Sequence, residues 1–312
     1  MLASGSAATT GTSMTPPRML LIVNPEARHG ETGPLVPVIE HLLQSYPHDT
    51  RLTSGVGHAA EIAREAEGYE ILVAVGGDGT VHEVLNGIMA RAEPRPALGV
   101  IPTGSGNDTR RTLGVPEDIA EATLTLASGV RHSFDIGCCN GVYFNNSFAA
   151  GLDARVTAKA VEYKTTTKRS GLWLYLTALI HVLINELYSH RVRVSWDGAE
   201  PQETDVLILA TTIGSTYGGG FKITPDAIPD DGLLEVCTID PLGLLQALLR
   251  LPFVVFGKHT QMKVVHMSRH RSVVIESDDP MPAQIDGEVI VGRRFEIEVL
   301  PAAIECIVPV DR

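Results

Sequence analysis

The sequence predicts an α/β + β chain, in which a parallel α/β domain is followed by a mainly antiparallel, β-sandwich-like domain. Three observations carry the prediction. Short apolar runs alternate with helical patterns up to about residue 137; the texture then turns to short β-rich runs broken by Gly, Pro and Asp; and 312 residues, at about 150 per domain, suggest two domains.

In the first part, Met19–Val23, Asp49–Thr53, Ile71–Val75 and Leu98–Ile101 read as strands, and Leu35–Gln44, Ala59–Ala66, Val81–Met89 and Asp118–Ala127 as helices. Strands that alternate with helices need crossover connections, hence a mainly parallel sheet, and such sheets bind ligands beyond the carboxyl ends of their strands. In the second part, Val142–Phe148, Val192–Trp196, Asp205–Ile213, Leu233–Ile239, Ser272–Ile275 and Phe295–Leu300 read as antiparallel strands, interrupted by helical inserts near 154–188 and at Leu242–Phe256. The boundary lies near 135–142, giving domains at 18–137 and 138–312, with the last strands free to return to the first domain. Residues 1–17, rich in Ser, Ala, Thr and Gly and ending in Pro16-Pro17, read as a disordered tail, within which Met14 is an alternative start.

Composition excludes several classes. Apolar residues make up 44% of an ordinary globular mixture, long enough to bury a core without staples. Cys138 and Cys139 are adjacent, Cys237 and Cys306 stand alone, and no CxxC occurs, which suits a reducing compartment better than a disulfide framework or a zinc site. A formal charge of −12 argues against nucleic acid as a partner. The apolar stretch Leu172–Tyr188 carries His181, Asn185 and Glu186 and makes a poor membrane span, and the N-terminus lacks the charged and apolar regions of a signal peptide. A soluble, cytoplasmic protein is expected.

The strand ends carry the chemistry. Ile71–Val75 runs into Gly76-Gly77-Asp78-Gly79-Thr80 and then a helix, where glycines admit an anion to the backbone and the helix N-terminus offers free N–H groups. A turn capped by Asp or Thr would look similar, but three glycines in four positions exceed what a turn needs. Asp78 itself suits a metal, a water or a hydroxyl. Leu98–Ile101 leads to a second such loop, Pro102 to Asp108, while the first two strands end in Asn24 to Gly30 and Thr53 to His58. Four polar or Gly-rich loops at neighbouring strand ends can converge on one nucleotide. No GxxxxGK[ST], no GxGxxG opening a helix and no GxSxG is present. His82-Glu83-Val84-Leu85-Asn86 stops one residue short of HExxH and reads as helix surface or phosphate rim.

Two later segments are open on their residues alone. Asp286-Gly287-Glu288 is either a hairpin with exposed charges or a catalytic carboxylate pair; Asp230-Asp231-Gly232-Leu233 is a turn, a hard-cation site, or both.

Taken in order, Asn24-Pro25, Gly76 to Thr80, Pro102 to Asp108, Phe134 to Gly137, Asn146 to Val156, Tyr217 to Asp226, Asp230 to Leu233 and Asp286 to Glu288 resemble the bacterial diacylglycerol kinase-like lipid kinases, whose catalytic domain is related to that of sphingosine kinases. The blocks span nearly the whole chain after residue 18. GGDG alone is shared with NAD kinases; the paired DDGL and DGE segments separate the families. The resemblance implies ATP-dependent, Mg²⁺-assisted transfer of a phosphoryl group to a lipid hydroxyl. It assigns the nucleotide to Asn24, Pro25, Glu26, Ala27, Arg28, Thr53, Gly77, Asp78, Gly79, Thr80, Val81, His82, Glu83, Ser105 and Asp108. Ser105 stands where the family has threonine and keeps the hydroxyl, and Thr109-Arg110 stands where the family has an aromatic. The resemblance makes Glu288 the general base, with Asp78 and Asp135 as catalytic partners. It gives one Mg²⁺ to Asp231 with the backbone oxygens of Ile228 and Leu233. Asp78, Asp108 and Asp135 are carried as a water-and-Mg²⁺ network near the phosphates.

Residues 155–194 and 250–271 each carry a net charge of +5 within this acidic chain. Beside Trp173 and Tyr175 they suit peripheral docking at the anionic inner membrane face, or equally a packed helix with a solvated basic edge. Lys164 is assigned to docking, and Lys168 either to docking or to the phosphates. The lipid substrate and ATP are the expected partners, and a homodimer is left open. Two other functions remain to be separated: a soluble-substrate kinase of the NAD kinase type, and a non-catalytic lipid-binding regulator.

Overall fold

The computed structural model describes residues 16–166 and 171–311. The predicted tail up to Thr15, and Lys168, lie outside the described residues.

Strands β1 (Met19–Val23), β2 (His48–Leu52), β3 (Ile71–Gly76) and β4 (Ala97–Pro102) form a parallel sheet in the order β4-β3-β1-β2. Every residue of β1, β3 and β4 is buried, as expected for parallel strands covered by helices on both faces, while β2 is a half-exposed edge. The helices are α1 (Ala27–Gly30), α2 (Val36–Leu42), α3 (His58–Glu65), α4 (Asp78–Met89), α5 (Asp108–Leu113) and α6 (Ile119–Ser128). Asp118 caps α6 by accepting from the Ala120 and Glu121 amides at 2.9 and 3.0 Å. The sequence did not reveal the short α5, whose start is set by Asn107 in the left-handed region (φ 53°).

The rest of the chain is antiparallel: β5 (Val130–Cys139), β6 (Val142–Phe144), β7 (Ser147–Gly151), β8 (His190–Trp196), β9 (Gln202–Val206), β10 (Ile208–Thr212), β11 (Leu234–Ile239), β12 (Val265–His270), β13 (Ser272–Ile285) and β14 (Glu288–Val308). Two single runs expected from the sequence are each split, Val142–Phe148 at Asn145-Asn146 and Asp205–Ile213 at Leu207. The sheet branches at β13, which pairs with β8 near Val273–Glu276 and with β7 near Ala283–Ile285. Phe148, Leu209 and Val236 from one branch meet Val192, Val194 and Val206 from the other in one core, which gives the β-sandwich. The opposite face of β7, β10 and β11 presents Ala149, Ala210 and Cys237 to the helices α7 (Leu152–Thr166), α8 (Gly171–Asn185) and α9 (Leu244–Val255). Among the described residues no helix is long and apolar enough to cross a membrane.

The 21-residue β14 runs through both parts. Its first half pairs with β13, its second with β5, and Cys306 meets Leu98 of β4 in parallel register. Between Leu300 and Ile304 it bulges, with Ala302 at φ 50°. The bulge is held by Asp135, whose Oδ1 accepts from the Ala302 amide at 2.8 Å while Oδ2 accepts from the Gly232 amide at 2.6 Å.

Asp153, at the start of α7, accepts from Gln284 Nε2 at 3.2 Å, and burial pushes its carboxyl up to about 6, against the hydrogen bonds of Tyr217 and Gln284. A carboxyl raised above its unfolded value of about 3.9 favours the folded state at low pH, and that stability is lost as pH rises through about 6. Asp153→Asn should therefore raise Tm at pH 7.5 by roughly 2 °C, of order 1 kcal/mol for a chain of this size, and leave it unchanged at pH 4. Thermal unfolding at both pH values checks this; an equal shift at both would mean that charge is not the cause.

Candidate active site

The loops after β3 and β4 touch backbone to backbone. A Cβ on Gly104 would lie 2.3 Å from Gly77 Cα, and one on Gly76 2.3 Å from Thr80 Oγ1, so neither position has room for a side chain. Gly77 itself has an ordinary φ of −94° and is limited by Gly104, 3.2 Å from its Cβ position. Gly79, in the first turn of α4, has open space around it. That turn is where free N–H groups and the positive helix end can meet a phosphate.

The loop after β1 is tied to the same turn. The Asn24 amide donates to Val75 O at 3.0 Å, its Nδ2 donates to Thr80 Oγ1 at 3.2 Å, and its Oδ1 accepts from the Glu26 amide at 3.1 Å. Pro25 and Ala27 are half-buried and Glu26 is exposed; Arg28, at φ 54°, pairs with Glu31. The Thr53 amide donates to Val23 O at 2.8 Å, which brings the end of β2 to the same rim. Ser105 is exposed at the tip of its loop.

Asp78 and Asp108 sit together beneath these loops. Asp78 Oδ1 accepts from the Thr109 amide at 3.0 Å, and a Cβ on Gly106 would lie 2.8 Å from Asp78 Oδ2. Asp108, 3% exposed, accepts from the Gly219 amide at 2.6 Å and from Arg111 Nη1 at 2.8 Å. Burial pushes Asp108 up to about 6, with the Asp78 charge adding to the shift; burial also raises Asp78, with Asp286 adding its charge. Two carboxylates that resist ionising next to each other fit a small hard cation, which takes one or two carboxylates and completes its shell with phosphate and water oxygens. Among the described residues no cluster of three or more His, Cys, Asp or Glu side chains has metal-site spacing.

Asp135 is held by a different set of donors. Both of its oxygens are taken by backbone amides, so it braces the 230–232 loop against β14. Asp231 Oδ1 accepts from the Leu233 amide at 3.1 Å and its Oδ2 lies 3.7 Å from Arg269, in the loop that also holds the exposed Ile228. Val81 points into the core, and the Glu83 carboxylate accepts from the Gly57 and Ala59 amides at 2.9 and 3.0 Å, fixing the start of α3.

Across the cleft, the β13–β14 turn carries the second pair of carboxylates. Asp286 accepts from the amides of Asn145, Asn146 and Ser147 at 3.0, 3.1 and 2.8 Å, and lies 3.2 Å from His82 Nδ1. Glu288 is 55% exposed, and its Oε2 lies 4.0 Å from His82 Nε2. His82 is thus not on the helix surface: its ring is buried, with a carboxylate facing each ring nitrogen. Burial alone would lower its pKa, but the hydrogen bond and charge of Asp286, with Glu288 and Glu83, outweigh it and raise it.

The family model described as "Diacylglycerol kinase catalytic domain" matches residues 18–139, and that described as "YegS C-terminal NAD kinase beta sandwich-like domain" matches residues 146–308. The chain belongs to the diacylglycerol kinase-like lipid kinases. It is 31% identical over 246 residues to a diacylglycerol kinase of Bacillus subtilis, covering 78% of this chain and 80% of that protein. It is 30% identical over 275 residues to a Pectobacterium atrosepticum protein named "probable lipid kinase YegS-like", covering 85% and 87%. In fold it matches a Bacillus anthracis diacylglycerol kinase at TM-score 0.73 and 23% identity, over 95% and 98% of the two chains. An Archaeoglobus fulgidus NAD kinase crystallised with ATP shares the fold at TM-score 0.55 and 15% identity, over 94% of each. As a family member the chain is a kinase, a phosphotransferase with an alcohol acceptor.

Several supporting residues of this lipid kinase carry no sequence signal. Thr32 Oγ1 donates to Thr103 Oγ1 at 2.8 Å and links the first and fourth strand-end loops. Asn145 Nδ2 donates to Thr109 Oγ1 at 2.8 Å, joining the helix behind Asp108 to the turn held by Asp286.

The glycines should separate by substitution. Gly79→Ala meets open space, so Tm should stay within about 1 °C while ATP affinity falls at least about tenfold. Gly104→Ala drives a Cβ into Gly77 and should cost at least about 1 kcal/mol of stability. Calorimetry with ATP and thermal unfolding of both variants check this; a stable Gly104→Ala would remove the loop contact from the account.

Proposed function

We propose that this chain is an ATP- and Mg²⁺-dependent lipid kinase that transfers the γ-phosphate to a hydroxyl of a lipid such as diacylglycerol. The observation that carries the lipid reading is apolar surface next to the cleft. A Cβ on Gly171, at the start of α8, would lie 3.1 Å from Ser105 O, and one on Gly219 3.0 Å from the Gly171 backbone, so α8 starts at the site itself. From there α8 exposes Trp173, Ile180 and Ile184, and α9, packed against it, exposes Leu245, Leu249 and Phe253, followed by the exposed Phe256 at its C-terminal end. Exposed Lys164 and Lys258 add positive charge near these helices. This combination suits a peripheral protein working at the anionic inner face of the membrane.

In this reading residues 18–137 hold the nucleotide and 138–312 the lipid. The loops at Asn24 to Arg28, Thr53, Gly77 to Thr80 and Ser105 surround the phosphates. Asp78 and Asp108 would hold Mg²⁺, which when bound would neutralise charge on the phosphates. Asp231, with the backbone oxygens of Ile228 and Leu233, would hold a further ion. Glu288 takes the proton of the acceptor hydroxyl: the O–H bond breaks as oxygen bonds to the γ-phosphorus, and ADP departs with the bridging oxygen. Glu288 has the exposure a base needs to reach a substrate entering from the apolar side.

Labelled ATP with diacylglycerol in mixed micelles, a short-chain soluble diol and NAD tests the reading. The lipid should be phosphorylated, and Glu288→Gln should lower kcat about 10²–10⁴-fold with ATP affinity unchanged. Phosphorylation of NAD without lipid would replace the lipid reading by a soluble-substrate kinase. Lipid binding without turnover would make the protein a regulator.

A further inference from the structure

His82 sits on α4 one turn after Asp78, yet its side chain faces the other wall of the cleft. It is 4% exposed, and its neighbours Val81, Val84 and Leu85 belong to the apolar core. A histidine buried at such a point has to satisfy both ring nitrogens with the groups that face it.

Those groups are few. Nδ1 lies 3.2 Å from Asp286 Oδ2. Nε2 lies 4.0 Å from Glu288 Oε2 and 3.4 Å from Asn86 Nδ2. The Asn86 amide is already committed, since it donates to His82 O and to Tyr143 O, each at 2.9 Å. Glu83, on the same helix, adds negative charge, but its carboxylate is spent on the start of α3. Among the described residues His82 is the sole ion-pair partner of either Asp286 or Glu288.

The two carboxylates differ in freedom. Asp286 is gripped by three consecutive amides, so it cannot follow the ring; it dictates the orientation of the ring, with Nδ1–H donating to it. Glu288 is exposed and has no other polar partner among the described residues. Among the described residues Nε2–H is therefore the one side-chain donor within ion-pair reach of the exposed Glu288 carboxylate. The arrangement is a buried acid that orients a histidine, which in turn addresses an exposed acid two residues along the same turn.

We infer that His82 is a positioning residue for Glu288: oriented by Asp286, its Nε2–H holds the Glu288 carboxylate aimed at the acceptor hydroxyl. The inference rests on the reading of Glu288 as the base. It gives the alkaline limit of turnover to His82, because loss of its proton releases the carboxylate. The charges that set the alkaline limit are Asp286 and Glu288 from the turn, Glu83 from α4, and, behind Asp286, Asp78.

The test is the pH profile of kcat, with lipid and ATP saturating, for wild type, His82→Gln, His82→Ala and Glu288→Gln. His82→Ala should lower kcat roughly 10- to 100-fold, the value of one hydrogen bond to a charged group, with ATP affinity by calorimetry unchanged. His82→Gln, which keeps a donor but cannot titrate, should recover part of kcat and lose the alkaline limb. Adding His82→Ala to Glu288→Gln should cost less than about twofold further, because the positioned group is gone. A wild-type kcat and pH profile in His82→Ala, alongside a slow Glu288→Gln, would overturn the inference and leave the base in place. Full turnover in Glu288→Gln would overturn the base itself. Thermal unfolding of each variant shows whether a loss comes from folding, and a Gln variant that is folded but as slow as Ala, with the alkaline limb intact, would also overturn it.

Discussion

Gly77 and Gly104 touch without side chains, and the loops after β3 and β4 are joined through that contact. Because the loops after β3 and β4 meet there, Asp78 at the head of α4 and Asp108 at the head of α5 are brought side by side beneath Gly106. Left alone this is an unfavourable arrangement, since burial and proximity both raise the energy of the second charge. A fold retains such a pair where binding relieves it. The strain is met in part by the Thr109 and Gly219 amides and by Arg111. In the proposed reading, the rest would be relieved by a cation and the phosphates it accompanies.

The acceptor side depends on aspartates of another kind. The side chains of Asp286 and Asp135 are both buried and both engaged by backbone amides, so each acts as a clamp. Asp286 fixes the β13–β14 turn to the β6–β7 connection; Asp135 fixes β5 to the β14 bulge and to the 230–232 loop. With β14 pairing to β13, β5 and β4 in turn, the clamps set the distance between the nucleotide loops and the turn that carries Glu288.

The parallel strands were legible because burial on both faces leaves continuous apolar runs, as in Ile71 to Val75. β5 was hidden, since Val130 to Ser133 are not buried and the apolar half follows without alternation. The charged β12 was hidden for the same reason, and the lengths of β13 and β14 were masked by their irregularities. At the site, the glycine loops could be named from local spacing, whereas Glu288 was named through the family resemblance. The work of Glu83, Asp135 and His82 could not, because it is defined by partners far along the chain, such as Asp286, 204 residues from His82. Local pattern shows which residue types are present; it does not show which carboxylates are already spent.

The central claim is that the buried Asp78–Asp108 pair receives the metal that accompanies the nucleotide. Calorimetric titration of ATP, with and without Mg²⁺ and in the absence of lipid, compares wild type with Asp78→Asn, which keeps an acceptor for the Thr109 amide. In wild type Mg²⁺ should tighten ATP binding about tenfold or more, ~1.4 kcal/mol. In Asp78→Asn that increment should vanish while Mg²⁺-free ATP affinity stays equal or improves, because one repelling charge has gone. An undiminished Mg²⁺ increment in Asp78→Asn would contradict the account.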